Sequence, residues 1–175
     1  MATPSIRPAR PSDATAVVSL WRSLLHEQAG LDPRLTIAED AEERWRNDFP
    51  YWLDDGTRKF LVAEHAGAIV GFAHAHRWGP PPILEASEEV YIDEVYVRPD
   101  ARRNGCGRAL VAELRSWAES LNANRLRLGV MAENSTGRAF WKSLQGKPLS
   151  LTYTIELASA VATNEAAPAQ KRIGF

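Results

Sequence analysis

Val97-Arg98-Pro99-Asp100-Ala101-Arg102-Arg103-Asn104-Gly105-Cys106-Gly107 leaves a predicted strand, turns through a basic loop and opens directly into a predicted helix. Gly105 and Gly107 stand at alternate positions, where the missing Cβ lets the backbone approach a ligand closely. The first N–H groups of a helix have no internal partner, and they favour an anion placed before them. Arg102, Arg103 and Arg108 add positive charge at the same place. The stretch reads as a phosphate cradle. It is not a Walker A loop, which ends in Gly-Lys-Ser/Thr, because Arg108-Ala109 follows Gly107. It is not a Rossmann fingerprint either, because Leu110 occupies the position of the third small residue. The plain alternative is an ordinary strand-to-helix connection, with glycines for turning and arginines for solubility.

Outward from the loop, apolar periodicity sets the neighbouring elements. Upstream, 90–97 is a strand. Downstream, a helix over 107–122 carries Leu110, Val111, Leu114, Trp117 and Leu121 on one side, and 125–131 alternates as a strand. A helix over 135–144 and a strand over 149–157 (Leu149, Leu151, Tyr153, Ile155, Leu157) complete that side. Towards the N-terminus, 60–64 and 68–73 form a hairpin turning at His65-Ala66-Gly67. A helix over 39–54 holds Trp45, Phe49 and Trp52 on one stripe, with Pro50 expected to kink or split it. Before it, a helix starting near Pro11-Ser12-Asp13, with Ser12 as N-cap, carries Val17, Leu20, Trp21, Leu24 and Leu25 and ends near Gly30. Ile6-Arg7-Pro8 is a short first strand. Residues 158–175 are Ala-rich and polar and read as a mobile tail.

The chain has 175 residues, 45% apolar and 25% charged, which suits one soluble domain with its own core. Lys and Arg number 21 against 22 Asp and Glu, a balance that argues against a nucleic-acid binder. One cysteine, Cys106, excludes an internal disulfide and a cysteine-rich zinc site. No apolar run is long enough for a secretory signal or a membrane span, so no membrane partner and a cytoplasmic location are expected.

The order strand, two helices, three strands, helix, strand, helix, strand, together with the Arg-x-x-Gly-x-Gly loop, resembles the GCN5-related N-acetyltransferase (GNAT) superfamily. A second block supports it: Asn134-Ser135-Thr136-Gly137-Arg138-Ala139-Phe140-Trp141 resembles the family's Asn-x-x-Ala-x-x-Phe-Tyr element. The resemblance implies an α/β domain over 3–157 with a central mixed, mostly antiparallel sheet of six to seven strands flanked by about four helices. It implies acetyl-CoA as co-substrate and no metal. The loop from Arg102 through Arg103, Asn104, Gly105, Cys106 and Gly107 to Arg108 would hold the pyrophosphate. Val95 would supply the N–H that faces the thioester oxygen, Val97 would pair with the pantetheine arm, and Asn134 would hydrogen-bond the same arm. Asn134 also suits a plain helix N-cap.

An ammonium must lose a proton before it attacks a thioester, and a nearby carboxylate can take it. Asp93-Glu94, in the strand before the loop, resembles the acidic pair of diamine acetyltransferases. Asp93 is then expected as general base and Glu94 as the group that binds or orients the amine. Strict alternation puts Tyr91, Asp93, Val95 and Val97 on one face and Ile92, Glu94 and Tyr96 on the other. The family often has a bulge here, which leaves open which acid faces the thioester. A salt bridge to one of the arginines is the plain alternative for either acid.

Two departures from the family pattern stand out. Trp141 replaces the Tyr expected seven residues after Asn134, and an indole N–H cannot deliver a proton to a leaving thiolate. Trp141 is therefore read as packing near the cofactor's sulfur arm, with Tyr153 and Ser143 as weak substitutes for the acid. Gly146-Lys147-Pro148 replaces the usual Gly-Phe, so the C-terminal end of the sheet reads as abbreviated. His74 and His76 share a strand face and could be a metal pair or a second base, although no third ligand stands out and packing is the plainer reading. Cys106 reads as small packing. Trp45, Phe49, Tyr51, Trp52 and Trp78 could line a pocket or form core, and Glu85, Glu88, Glu89, Asp93 and Glu94 could attract a cation.

The sequence thus points to an acetyltransferase acting on a small cationic amine by direct attack, with a homodimer as a further expectation. A protein N-terminal or lysine acetyltransferase is the alternative within that chemistry. A non-catalytic acyl-CoA-binding sensor is the alternative outside it.

Overall fold

Five strands form one sheet in the sequence order β1-β2-β3-β4-β5 in the computed structural model, which describes residues 4–81, 83–85, 87–155 and 157. The strands are β1 (Ser5–Pro8), β2 (Arg58–His65), β3 (Ala68–Trp78), β4 (Glu89–Val97) and β5 (Arg125–Leu128). The helices are α1 (Ala14–Leu31), α2 (Ala41–Asp54), α3 (Cys106–Ser120) and α4 (Ser135–Ser143). Every strand pair is antiparallel except β4 with β5, which is parallel. A parallel pair needs a crossover, and α3 supplies it.

Period-2 alternation divides the core between the two faces of the sheet. Leu61, Ala63, Ala73, Ala75, Val90 and Ile92 lie under Leu110 and Leu114 of α3. Phe60, Val62, Phe72 and Tyr96 face Val17 and Leu20 of α1 and Trp45 and Phe49 of α2. β3 is buried along most of its length, which explains its run of small and apolar residues. At Gly71 a Cβ would stand 2.7 Å from the Tyr96 carbonyl oxygen, so only glycine fits where β3 meets β4.

Several expectations change. The sheet has five strands among the described residues, not six or seven. The stretch expected as a last strand over 149–157 forms none there, and its apolar side chains are exposed. β5 stops at Leu128, short of the expected 131, and the Tyr91 hydroxyl stands 3.3 Å from where a Cβ on Gly129 would be. α2 runs through Pro50 without being split. Trp45 and Phe49 dock that helix onto the sheet, and burial of this size outweighs one missing hydrogen bond. Ser12 is not the cap of α1. The first turn is held by Asp13, which accepts from Arg10 N at 2.7 Å and binds Arg7. The tail over 158–175 lies outside the described residues.

Candidate active site

The phosphate loop has the backbone its glycines promised. Gly105 precedes α3 at φ 84°, and no side chain caps the helix, so the N–H groups of its first turn face outwards. Arg103 also takes a left-handed conformation (φ 68°), and Arg103 and Asn104 are exposed. Cys106 is buried in the core, so only its backbone N–H can serve a ligand. Gly107 lies against the Phe140 ring, 3.4 Å from where its Cβ would be.

The three arginines separate. Arg102 turns away from the cradle: its Nε donates to the Val97 carbonyl at 2.7 Å, and Nη2 donates to both Glu27 oxygens at 2.7 and 2.8 Å. The Tyr96 hydroxyl donates to the same Glu27 at 2.8 Å, beneath the Arg102 guanidinium. Arg102, expected beside the pyrophosphate, ties the loop to α1 through these contacts. Arg108 reaches Ser143 of α4 at 2.9 Å, and the Ser143 hydroxyl donates to the Phe140 carbonyl at 2.6 Å. Arg103 is the arginine of the three with no side-chain hydrogen bond or ion pair among the described residues.

β4 and β5 pair only over Glu89–Ile92 and Arg125–Leu128, and then part. Arg98 N donates to Val70 O on the β3 side. Antiparallel ladders alternate, so Tyr96 and Glu94 also face β3 while the N–H groups of Val95 and Val97 point into the gap left by β5. A split sheet with outward N–H groups can accept an extended arm along its inner edge.

A bulge sits at the acids. His74 pairs with Glu94 and Ala75 with Ile92, so Asp93 is the extra residue on β4. Strict alternation would separate the two carboxyls. The bulge brings both to the α1–α2 face, alongside His74 and His76. His76 Nδ1 lies 2.9 Å from Asp93 Oδ2, and His74 Nδ1 lies 3.8 Å from the same oxygen. Trp21 Nε1 donates to Glu94 at 2.9 Å, and the Trp52 ring lies 5.1 Å from the His74 ring. Burial pushes the Glu94 carboxyl up to about 7, against the Trp21 hydrogen bond, with Asp93 adding to the rise. Burial also pulls His74 down to about 4, so its ring is neutral at neutral pH. The histidine pair is thus part of an acid–histidine cluster. Among the described residues, no group of three or more His, Cys, Asp or Glu could hold a metal ion.

Other candidates fall elsewhere. Glu89 is buried at the start of β4 and pairs with Arg125 and Arg127, while Glu88 pairs with Arg77, so both acids are engaged structurally. Trp78 lies under Arg127, Trp45 and Phe49 are core, and Tyr51 is exposed. Asn134 caps α4, its Oδ1 accepting from Gly137 N at 2.7 Å, and its amide nitrogen has no hydrogen bond among the described residues. Trp141 packs against the α3 side of the core. Sequence reasoning missed Glu27 and the polar use of Trp21. Both lie on α1, far from β4 in sequence, and nothing in the periodicity of α1 marks them.

A mixed sheet that splits beside an uncapped helix start, with titratable carboxyls on the adjoining strand, suits an acyl-CoA-dependent N-acetyltransferase. The chain belongs to the acetyltransferase (GNAT) family, whose sequence model matches residues 21–146, and acetyl-CoA is its co-substrate. Its relatives include an aminoglycoside N(6')-acetyltransferase type 1 from Stenotrophomonas maltophilia, 29% identical over 124 residues that cover 70% of this chain and 72% of that protein. Among solved structures, the tetramutant of BH1408 from Bacillus halodurans shares the fold at TM-score 0.78 and 19% identity, over 87% of this chain and 99% of that one. The aminoglycoside acetyltransferase AAC(6')-Iy, in complex with the bisubstrate analog CoA-S-monomethyl-acetylneamine, does so at TM-score 0.68 and 17% identity, over 90% and 100%.

Proposed function

We propose that this enzyme transfers acetyl from acetyl-CoA to a primary amine of a small, cationic acceptor by direct attack. The observation that carries the reading is the bulge at Asp93, which gathers two carboxyls and two imidazoles on the helix-covered face of β4, next to the gap beside Val95. Such a cluster attracts an ammonium and offers a group to deprotonate it. The kinship with an aminoglycoside acetyltransferase supports an acceptor with several amines.

The two acids divide the work. Asp93, on the bulge and held by His76, meets the incoming ammonium. Glu94, raised to about 7, is balanced between its two states at neutral pH and takes the proton. This reverses the division expected from the sequence, and the reason is burial of Glu94 against α1. The amine nitrogen then attacks the thioester carbon while the Val95 N–H donates to the developing oxyanion. The carbon–sulfur bond breaks, CoA leaves as thiolate, and the proton shed by the new amide nitrogen converts that thiolate to the free thiol. The loop around Arg103–Gly107, Arg108, Val97, Asn134 and Trp141 holds the rest of CoA.

The test is free-thiol release from acetyl-CoA against a panel of polyamines, aminoglycosides and peptides with a free N-terminus or lysine. Release that depends on the small amines is expected. Release with peptides alone would move the acceptor to proteins. Tight CoA binding with no amine-dependent release would replace the enzyme reading with that of a sensor.

A further inference from the structure

β3 brings two imidazoles to Asp93, and the place of the proton on each ring decides what it does there. Arg58 Nη1 stands 3.5 Å from His74 Nε2. A guanidinium offers only donors, so that nitrogen faces a donor and the His74 proton sits on Nδ1. Nδ1 is the nitrogen 3.8 Å from Asp93 Oδ2, too far for a hydrogen bond and close enough for charge. Phe60 stacks on the His74 ring at 4.8 Å, and Arg58 is itself pinned through Nε to Asp55 at 3.1 Å. Asp55 in turn accepts from Thr57 N and Oγ1 at 2.9 and 2.6 Å. His76 Nδ1 meets the same Asp93 oxygen at 2.9 Å, and a carboxylate oxygen accepts, so His76 also carries a proton on Nδ1. Oδ2 thus serves both rings. Oδ1 has no hydrogen bond or ion pair among the described residues, and the Asp93 side chain is 27% exposed.

We propose that His74, His76 and Arg58 are positioning residues for the acceptor: two Nδ1 protons, one of them fixed in place by Arg58, make Asp93 an oriented anion whose Oδ1 takes the ammonium. The inference rests on the acetyl-transfer reading of this cluster and deepens it. The bulge is what allows the arrangement. His74 and His76 stand two residues apart on β3, and the extra residue on β4 sets one carboxylate within reach of both. A carboxylate whose one oxygen already faces imidazole protons keeps its plane, so the acceptor meets a group that is ordered before it arrives. His74, neutral through burial, adds a donor without a positive charge to repel the ammonium. Asp93 therefore binds and does not carry the reacting proton. Disturbing its supports should show in the affinity for the amine and not in the chemical step.

The test combines imidazole 15N spectra of the ligand-free protein with initial rates against spermidine and kanamycin as amine probes. Both histidines are expected with a proton on Nδ1, and Arg58→Met should move the His74 proton to Nε2. His76→Leu should raise the amine KM about tenfold while kcat and the acetyl-CoA KM stay within about threefold. His76→Asn, whose amide N–H stands near the place of Nδ1, should return the amine KM to within about threefold of wild type. A merely structural histidine would show neither the split nor the rescue. A bare Nδ1 on either ring of the wild type, or an unchanged amine KM in His76→Leu, would overturn this inference alone. A tenfold or larger fall of kcat in both His76 variants would overturn it too, because the ring would then carry the reacting proton. A wild type that releases thiol with neither amine overturns the small-amine reading itself, and this inference with it. Near-UV spectra and Tm check the fold of each variant. Should His76→Leu fail to fold, His76→Gln, whose amide stands nearer the place of Nε2, replaces it in the same comparison.

Discussion

Two neighbouring groups at the acid–histidine cluster depart from their usual ionisation in opposite senses of pH dependence. His74 is pulled down from 6.5 to about 4 by burial, so the unfolded chain binds more protons between those values and stability falls as pH drops through them. Glu94 is pushed up from 4.5 to about 7, so the folded chain binds the extra proton and stability falls as pH rises from about 4.5 to 7. Each shift is worth on the order of 3 kcal/mol, and over the shared window they offset. Urea denaturation from pH 4.5 to 6.5 should therefore be nearly level for the wild type, and should rise with pH for Glu94→Gln. A level profile for Glu94→Gln would remove the buried, neutral His74 from this account. In the mechanism we propose the same residue takes the proton, so Glu94→Gln should lower kcat/KM by 10²- to 10⁴-fold and abolish the limb near pH 7. If Asp93→Asn abolishes that limb instead, the proton goes to Asp93.

The loop between β4 and α3 works as an element because its turn, its helix start and its tether to α1 act together. Gly105 at φ 84° aims the first turn of α3, and alanine there would be forced into a conformation that costs roughly 1–2 kcal/mol. Gly105→Ala should raise KM for acetyl-CoA tenfold or more while leaving the amine KM within a few-fold, as read by initial rates. The tether has its own signature. Glu27 holds Arg102 and Tyr96 together from α1, so Glu27→Gln should raise KM for acetyl-CoA several-fold with little change in kcat. Trp141 packs against the core and cannot deliver a proton, so Trp141→Phe should change kcat less than threefold in initial-rate assays.

The whole molecule depends on two apolar layers that meet through one sheet. Leu114 is fully buried between α3 and that sheet, and Leu114→Ala should cost about 2–5 kcal/mol, visible as a lower urea midpoint at unchanged slope. Much of this architecture was legible in the sequence. Local chemistry determined it: apolar residues recurring at period 2 or 3.6 fix which stretches are strands and helices, and a Gly-x-Gly turn fixes where α3 starts. The α1–α2 pair, the hairpin, the phosphate loop and the helix that Asn134 opens all follow from residues close together along the chain. Alternation could not place the acids, because a bulge is a property of two paired strands and only the His74–Glu94 register reveals Asp93 as the extra residue. It could not foresee the Arg102–Glu27 tether either, since the partners stand 75 residues apart. The Leu149–Ile155 pattern marked a strand but supplied no neighbour, and a strand exists only where another offers its edge. The sequence by itself determined the family and most of the elements, because these rest on local conformational preference. Tertiary structure decided which acid is buried, which arginine is free and where the sheet ends, because burial and pairing come from residues distant in the chain.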